Sequence, residues 1–193
     1  EKYNLAVVMP AVHRSFYTDM NKGYNYWTFL TKELPEIASD FFNISQKRED
    51  NFVAGLSMGG YGAFKWVLSY PNKFKAAASL SGALNMARRV KDFKDNKKRI
   101  EEFEMIFGDL EDMKDSENDI FYLLKKLKRN DDKIPELYQC CGTEDFLYKD
   151  NLKFKRLCEK EGIPLRYEEE KAAHEWNYWD KKIEDIINYL AIK

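Results

Sequence analysis

The stretch that most constrains this chain is a serine bracketed by glycines, Gly-Leu-Ser-Met-Gly, at residues 55–59. An apolar, β-prone run leads into it from Phe52, and a helix-forming stretch follows at once. This order is typical of a nucleophile elbow, in which a serine occupies a cramped turn between a strand and a helix. We expect a side chain at Gly55 or Gly59 to collide with the opposing backbone as the turn tightens. The pattern therefore predicts that the Ser57 hydroxyl projects from the edge of a sheet.

The helix predicted after Ser57 would present its first backbone amides to that hydroxyl. The N–H of Met58 comes first, and it would point to the place where negative charge forms during acyl transfer. A phosphate-binding loop fits less well, because Lys65 stands where a dinucleotide loop needs its third glycine and no Gly-Lys-Ser/Thr follows. An ordinary glycine-rich turn is the remaining alternative.

The composition is typical of a soluble globular protein and argues against several classes. The chain has 193 residues, of which 44% are hydrophobic and 34% charged, and its net charge is −1. A nucleic-acid-binding protein would carry a basic excess, and no apolar run approaches the ~20 residues of a membrane span. Cys140, Cys141 and Cys158 lack metal-ligand spacing, which favours buried thiols in a reducing compartment. We expect a cytoplasmic protein without metal or cofactor, and the sequence leaves a homo-oligomer open.

Short apolar runs alternate with helical patterns along the chain. Strands are predicted at residues 5–9, 52–56, 76–81, 134–141 and 165–169, and helices at 27–42, 58–70, 99–107, 120–127, 147–161 and 183–192. Pro35 would start a fresh turn or kink the first helix. Because the connections are long enough for crossovers, the pattern predicts an α/β fold with a mainly parallel sheet. We expect one domain over residues 1–193, with a charged helical cap inserted at about 86–133.

The run at residues 5–9 opens the chain almost without a lead-in. A continuous β-prone run of this kind is typical of a buried parallel strand. Since a buried strand needs neighbours on both sides, we expect a domain that lacks its N-terminal strands.

A serine hydroxyl is a poor nucleophile at neutral pH, so a base must take its proton and an acid must orient that base. The chain has two histidines, His13 in an early loop and His174 just after the last predicted strand. In this fold the order along the chain is serine, acid, histidine. The sequence therefore predicts His174 as the base and His13 as a loop residue at the border of the cleft.

The acid is expected directly after the strand at 134–141. Glu144 and Asp145 both stand there, in a turn led by Gly142. We predict Asp145, because the second carboxylate of such a turn can reach back to the histidine Nδ1, and we keep Glu144 as the alternative.

Four segments of the chain together carry a family resemblance. They are Met-Pro-Ala-Val-His-Arg-Ser-Phe-Tyr-Thr-Asp at 9–19, Gly-Leu-Ser-Met-Gly-Gly at 55–60, Gly-Thr-Glu-Asp at 142–145 and His-Glu-Trp-Asn-Tyr-Trp-Asp at 174–180. In these segments the chain resembles the tributyrin esterase and acetyl esterase group, which is related to esterase D (S-formylglutathione hydrolase) and to feruloyl esterases. The resemblance implies an α/β-hydrolase fold, with Ser57, Asp145 and His174 as a triad that cleaves short acyl esters without a cofactor.

One feature of that family has no counterpart here. Its members carry earlier strands and a His-Gly loop whose N–H completes the oxyanion hole beside the amide that Met58 would supply. Loss of one such donor costs on the order of 10²–10³-fold in turnover.

The reaction expected from the sequence is hydrolysis of short-chain esters by a serine carboxylesterase through an acyl-enzyme, with a small-molecule ester as substrate. An acyltransferase with the same triad and a non-catalytic truncated scaffold are the alternatives. Phe16, Tyr17 and Trp176 are candidate walls of the substrate pocket, although plain core packing explains such aromatic residues equally well.

Overall fold

Four parallel strands form the sheet that the alternating pattern predicts. The computed structural model describes residues 3–129 and 133–190. The strands lie side by side in chain order, as β1 (Phe52–Leu56), β2 (Ala76–Leu80), β3 (Glu136–Gly142) and β4 (Leu165–Glu170). Each neighbouring pair is parallel, so the carboxyl ends of all four strands meet at one edge of the sheet. These four strand predictions are confirmed to within about two residues.

Helices connect and cover the strands. They are α1 (Tyr26–Thr28), a π-helical turn (Phe29–Glu33), α2 (Leu34–Phe41), α3 (Met58–Ser69), α4 (Met86–Asp92), α5 (Lys97–Phe107), α6 (Ile120–Arg129), α7 (Tyr148–Glu161) and α8 (Trp176–Tyr189). Short 3-10 turns lie at Arg48–Asp50 and Glu111–Met113. Helix α8 begins at Trp176 rather than at 183, and the predicted extension to 191 and 192 lies outside the described residues. None of the described helices is long and apolar enough to cross a membrane.

The two faces of the sheet belong to different hydrophobic clusters. Successive side chains of a strand point to opposite faces, and in β2 Ala77 joins one cluster whereas Ala76 and Ala78 join the other. The larger cluster is built from helices α3 to α7, and its fully buried members include Tyr61, Phe64, Ile106, Leu124 and Phe154. The smaller cluster packs α8 on the opposite face, through Tyr178, Trp179 and Ile186.

Pro35 lies at the first turn of α2, directly after the π-helical turn. The N–H of Leu34 donates to the carbonyl of Phe29, five residues earlier. Proline has no N–H to continue an ordinary α-helical ladder, and its ring crowds the preceding turn. The wider turn accommodates both constraints, so the helical stretch continues and a fresh turn starts at Pro35, one of the two predicted outcomes.

The predicted strand at residues 5–9 is wrong. The run has no strand pairing, and Met9 is 87% exposed. Within the described residues β1 pairs only with β2, so its other edge carries no partner. A buried parallel strand requires hydrogen bonds from a neighbour and cover on its faces. Since residues 5–9 have neither in the described structure, their apolar sequence leads to an exposed segment.

The charge-rich stretch between β2 and β3 is helical, as predicted, with α4, α5 and α6 in succession. Its outer positions are charged, but Val90, Phe103 and Leu124 point inward and belong to the larger core cluster. Helix α6 packs against α3 and therefore acts as a layer of the fold rather than as a detached lid. Residues 130–132 of the predicted cap lie outside the described residues, and its boundaries stay a prediction.

Candidate active site

Ser57 occupies the sharp turn between β1 and α3 and has a strained backbone. Its φ is 53° and its ψ is −116°, a region that side-chain-bearing residues rarely adopt and that costs on the order of 1–3 kcal/mol. Its N–H donates to the carbonyl of Leu80 over 2.8 Å, and its carbonyl accepts from the N–H of Ala83 over 3.0 Å. The residues at the end of β2 thus hold Ser57 in this conformation.

The glycines around Ser57 are required for different reasons. A Cβ on Gly55 would collide with the backbone of Gly59, as the sequence predicts. The same expectation for Gly59 is wrong, because a Cβ there would meet the hydroxyl of Tyr17 at 3.3 Å and no opposing backbone within 4 Å. A Cβ on Gly60 would lie 2.6 Å from the Ser79 hydroxyl. The absence of that side chain lets α3 lie directly on the end of β2.

The three side chains predicted to act together lie within hydrogen-bond distance of one another. His174 Nε2 is 3.0 Å from the Ser57 Oγ, and His174 Nδ1 is 2.7 Å from the Asp145 Oδ2. Each side chain follows a different strand, since Ser57 comes after β1, Asp145 after β3 and His174 after β4. The carboxyl ends of parallel strands are the usual place for sites in such sheets.

The turn that carries Asp145 is tied to the segment that carries His174. The N–H of Thr143 donates to the carbonyl of Glu170 over 2.9 Å, and that of Glu144 donates to the carbonyl of Ala172 over 3.0 Å. A Cβ on Gly142 would collide with the same Ala172 carbonyl. The glycine therefore allows the two loops to approach closely enough for their side chains to meet.

Asp145 is the carboxylate that contacts His174. Its side chain is fully buried and also accepts a hydrogen bond of 2.8 Å from the N–H of Leu147. Burial raises the pKa of Asp145, but hydrogen bonds from His174, from the Leu147 amide and from Ser81 outweigh it, so the pKa lies below its usual value. Glu144, the alternative, is exposed and lies 3.7 Å from Lys171.

Two aromatic rings pack against the imidazole of His174. The ring of Phe146 has its centroid 4.6 Å away, and the ring of Trp179 lies at 4.7 Å, nearly perpendicular to the imidazole. Trp176, one of the predicted pocket residues, stacks edge-on against Trp179 at 5.4 Å. Phe146 is 64% exposed and Trp176 is 71% exposed. Neither Phe146 nor Trp179 was predicted as a site residue, although Phe146 directly follows the predicted acid.

The other two predicted pocket residues, Phe16 and Tyr17, contact side chains or backbone of α3. Phe16 contacts the rings of Tyr61, Phe103 and Phe107, so core packing accounts for its position. Tyr17 lies against the first turns of α3, where a Cβ on Gly62 would collide with its ring.

His13 is exposed, and its ring contacts that of Tyr26 at 6.0 Å. The imidazole beside Ser57 is therefore that of His174, as the order of residues along the chain predicts.

Met58 is the first residue of α3, directly after Ser57. The N–H of Tyr61 makes the first helical hydrogen bond, with the Ser57 carbonyl over 3.2 Å. Because the first amides of a helix have no partner inside it, the Met58 N–H is suited to donate to an anion beside Ser57.

The arrangement provides a hydroxyl next to a base, and a buried carboxylate that fixes which imidazole nitrogen carries the proton. Such a set can deprotonate the hydroxyl as it attacks an acyl carbon and can stabilise the resulting imidazolium. Among the described residues no group of three His, Cys, Asp or Glu side chains could hold a metal ion.

Comparison with known proteins gives a consistent assignment. Residues 4–190 match the family model described as "Putative esterase". An acetyl esterase from Caldicellulosiruptor saccharolyticus is 36% identical over 194 residues, which cover 98% of this chain and 73% of that protein.

Two solved structures from Staphylococcus aureus are also similar to this chain. The substrate-bound fluorophosphonate-binding serine hydrolase F is 37% identical with a TM-score of 0.85, over 94% of this chain and 69% of that one. The S-formylglutathione hydrolase apoenzyme is 37% identical with a TM-score of 0.81, over 94% of this chain and 70% of that one.

Proposed function

This chain belongs to the Esterase family, and we propose that it uses Ser57, His174 and Asp145 to hydrolyse short-chain acyl esters. Membership confirms the resemblance drawn from the sequence, together with the α/β-hydrolase fold and the assignment as a carboxylic ester hydrolase. The roles of individual residues and the preference for short acyl chains are the proposed part.

The observation that carries the proposal is the unbroken line of polar contacts from Ser57 through His174 to Asp145, at 3.0 Å and 2.7 Å. It ends in a buried carboxylate with a lowered pKa. A carboxylate that stays ionised at neutral pH can hold the imidazole in one tautomer and stabilise its charged form. The similarity to an acetyl esterase supports a short acyl group.

In the proposed reaction His174 Nε2 takes the proton of Ser57 as Oγ attacks the acyl carbon. The carbonyl oxygen becomes negatively charged, and the Met58 N–H stabilises it. The imidazolium then donates its proton to the ester oxygen as the C–O bond breaks and the alcohol leaves. Water, deprotonated by His174, attacks the acyl-enzyme in the same way, and the carboxylic acid departs with Ser57 restored. Asp145 remains ionised throughout.

The rings around His174 suggest where the alcohol part of the ester lies. Since His174 protonates the leaving alcohol, that group must sit beside the imidazole, where the exposed rings of Phe146 and Trp176 also lie. We expect these rings to contact an apolar alcohol. Phe146→Ala should then raise the KM for benzyl acetate by about 3–10-fold, the effect of roughly 1 kcal/mol of aromatic contact, and leave the KM for ethyl acetate unchanged. Equal changes for both esters would remove Phe146 from substrate recognition.

The experiment that tests the proposed function combines labelling with a substrate series. A fluorophosphonate probe should modify Ser57, located by peptide mass spectrometry, and p-nitrophenyl acetate and butyrate should be hydrolysed faster than the octanoate. Preference for the octanoate would contradict the short-chain assignment. Transfer of the acyl group to added glycerol would identify the acyltransferase instead. Folded protein that neither reacts with the probe nor hydrolyses any ester would favour the scaffold.

We further propose a reducing compartment, as in the cytoplasm, on the basis of the thiols. Cys140, Cys141 and Cys158 are all buried and free, and unpaired cysteines are typical of such compartments. Cell fractionation tests this, and recovery of the protein outside the cell would contradict it.

A further inference from the structure

We propose that Trp179 and Ser81 are positioning residues that hold Asp145 and His174 in register, through a closed ring of contacts behind the site. The inference rests on the proposed function, because it assigns roles toward the same serine, base and acid. Ser81 is fully buried and Trp179 is only 6% exposed, so we assign them a supporting role and not contact with an ester.

Trp179 connects the imidazole to the end of β2. It lies in the first turn of α8 and is only 6% exposed. Its ring is nearly perpendicular to that of His174, with centroids 4.7 Å apart, and its Nε1–H donates to the Ser81 hydroxyl over 3.0 Å. The indole is therefore fixed at one end by a hydrogen bond and supports the imidazole with its ring.

Ser81 connects Trp179 to the acid. It is fully buried directly after β2, where its φ is 47° and its N–H donates to the carbonyl of Cys140 over 2.7 Å. An indole N–H can only donate, so the Ser81 oxygen accepts from Trp179 and keeps its own proton for another acceptor. The buried carboxylate of Asp145 lies within reach of that proton, because a hydrogen bond from Ser81 is one of the causes that lower its pKa.

Burial raises the pKa of Asp145, and the hydrogen bonds that bring it below its usual value include one from the Ser81 hydroxyl. The carboxylate thus accepts from His174, from Leu147 and from Ser81. These three donors approach it from different elements of the fold.

The contacts close on themselves, from Trp179 to Ser81, to Asp145, to His174 and back to Trp179. Removal of one member takes away one of the contacts that fix the orientation of the carboxylate or of the imidazole. A misplacement of about 1 Å between reacting groups can cost ~10²-fold in rate. The expected effect is on the chemical step and not on substrate binding.

The test uses Trp179→Phe, Ser81→Ala and their combination, with two matched controls. Trp66→Phe removes the buried indole N–H of a residue on α3. Ser79→Ala removes a buried hydroxyl on β2, two residues before Ser81. Neither group has a hydrogen-bond partner among the described residues. We expect each test variant to lower kcat for p-nitrophenyl acetate by about 10–100-fold with KM within about twofold. The double variant should be no slower than the slower single variant, because both break the same ring. The controls should retain kcat.

A second readout does not depend on turnover. The proton between His174 Nδ1 and Asp145, which are 2.7 Å apart, should give a proton NMR signal at low field. We expect it to move or broaden in Ser81→Ala and to stay in place in Ser79→Ala.

Two outcomes would overturn the inference: a wild-type kcat in folded Ser81→Ala, or losses that add up in the double variant. If Trp179→Phe does not fold, Ser81→Ala decides alone, because it removes a single buried oxygen. Failure of the proposed function looks different, since the wild-type protein would then hydrolyse no ester. The NMR comparison would still test the ring of contacts in that case.

Discussion

Two buried polar networks meet helix α3, one at its start and one in its middle. At the start, Ser57 contacts His174, which contacts Asp145. In the middle, Lys65 is only 2% exposed. Its Nζ donates to the Tyr17 carbonyl over 2.8 Å, to the Thr18 hydroxyl over 3.0 Å and to the Asn118 side-chain oxygen over 2.8 Å.

The two networks differ in what their protons can do. The Lys65 Nζ has three oxygen partners inside the protein, so its network is closed and joins the early loop to the segment before α6. The network at Ser57 is open on one side, because the His174 side chain is 19% exposed while Asp145 is fully buried. A buried polar network fixes structure when every polar group in it has its partners inside the protein. It supports chemistry when one group faces the outside and its proton can be transferred.

The largest expected effect is the loss of turnover when a member of the open network at Ser57 is removed. Ser57→Ala and His174→Ala should each reduce p-nitrophenyl acetate turnover by ~10⁴–10⁶-fold, about 5–8 kcal/mol in transition-state stabilisation. The free energy of unfolding, measured in urea, should change little in Ser57→Ala, because the strained backbone remains. His13→Ala is the matched control for the second histidine and should keep its activity. Turnover near the wild-type rate in Ser57→Ala or in His174→Ala would exclude that residue from the mechanism.

The next largest effect on kcat distinguishes Asp145 from the neighbouring carboxylate, Glu144. Asp145→Asn should lower kcat by about 10³–10⁴-fold, because an amide cannot hold the required tautomer or stabilise the imidazolium. Glu144→Gln should leave kcat within about twofold, since exposed ion pairs contribute little. Steady-state kinetics of both variants measure this, and a greater loss in Glu144→Gln would reverse the assignment of the acid.

The smallest expected effect concerns Lys65 in the closed network, and it is a change in how the free energy of unfolding depends on pH. Burial lowers the pKa of Lys65 to about 7, although Asp19 and Glu117 act to raise it. Between that value and the unfolded pKa of roughly 10.4 the unfolded chain binds a proton that the folded chain has released, so the free energy of unfolding rises with pH. From pH 7 to pH 9 it should rise by about 2 kcal/mol more in the wild type than in Lys65→Met.

Urea unfolding at the two pH values measures this difference directly. Lys73→Met provides a control that removes a different lysine, whose Nζ donates to the carbonyl of Thr31 over 3.3 Å. Parallel pH dependence in the wild type and in Lys65→Met would show that Lys65 does not titrate in this range.

Much of the fold and of the candidate site follows from local sequence patterns. The strand before Ser57, the helix after it and the order serine, acid, histidine are all short-range signals, and the structure brings the three side chains together. The second carboxylate of the turn at Gly142 reaches the imidazole, as that turn predicts. These predictions succeed because the carboxyl ends of parallel strands must share one edge of the sheet.

Other features depend on distant partners and were not predictable from local pattern. The run at residues 5–9 has the composition of a buried strand, but burial requires neighbours that the described structure does not provide. From the sequence, Lys65 argued only against a phosphate-binding loop. Its burial in the structure depends on the loop at Tyr17, which packs across α3. The contact of Trp179 with His174 similarly requires α8 to start at Trp176, where the aromatic first turn does not follow an amphipathic pattern.

The backbone hydrogen bonds between the turn at 142–145 and residues 170–172 have one more consequence. They continue the pairing of β3 with β4 past the end of the sheet. Asp145 and His174 therefore lie on two segments that are hydrogen-bonded to each other. Breathing motions at this rim would carry both side chains as a pair, and their spacing would persist. Ser57 is tied to the same rim through β2, because its N–H donates to the carbonyl of Leu80 and the N–H of Ser81 donates to the carbonyl of Cys140. Separation of the nucleophile from its base would therefore require backbone hydrogen bonds between neighbouring strands to break.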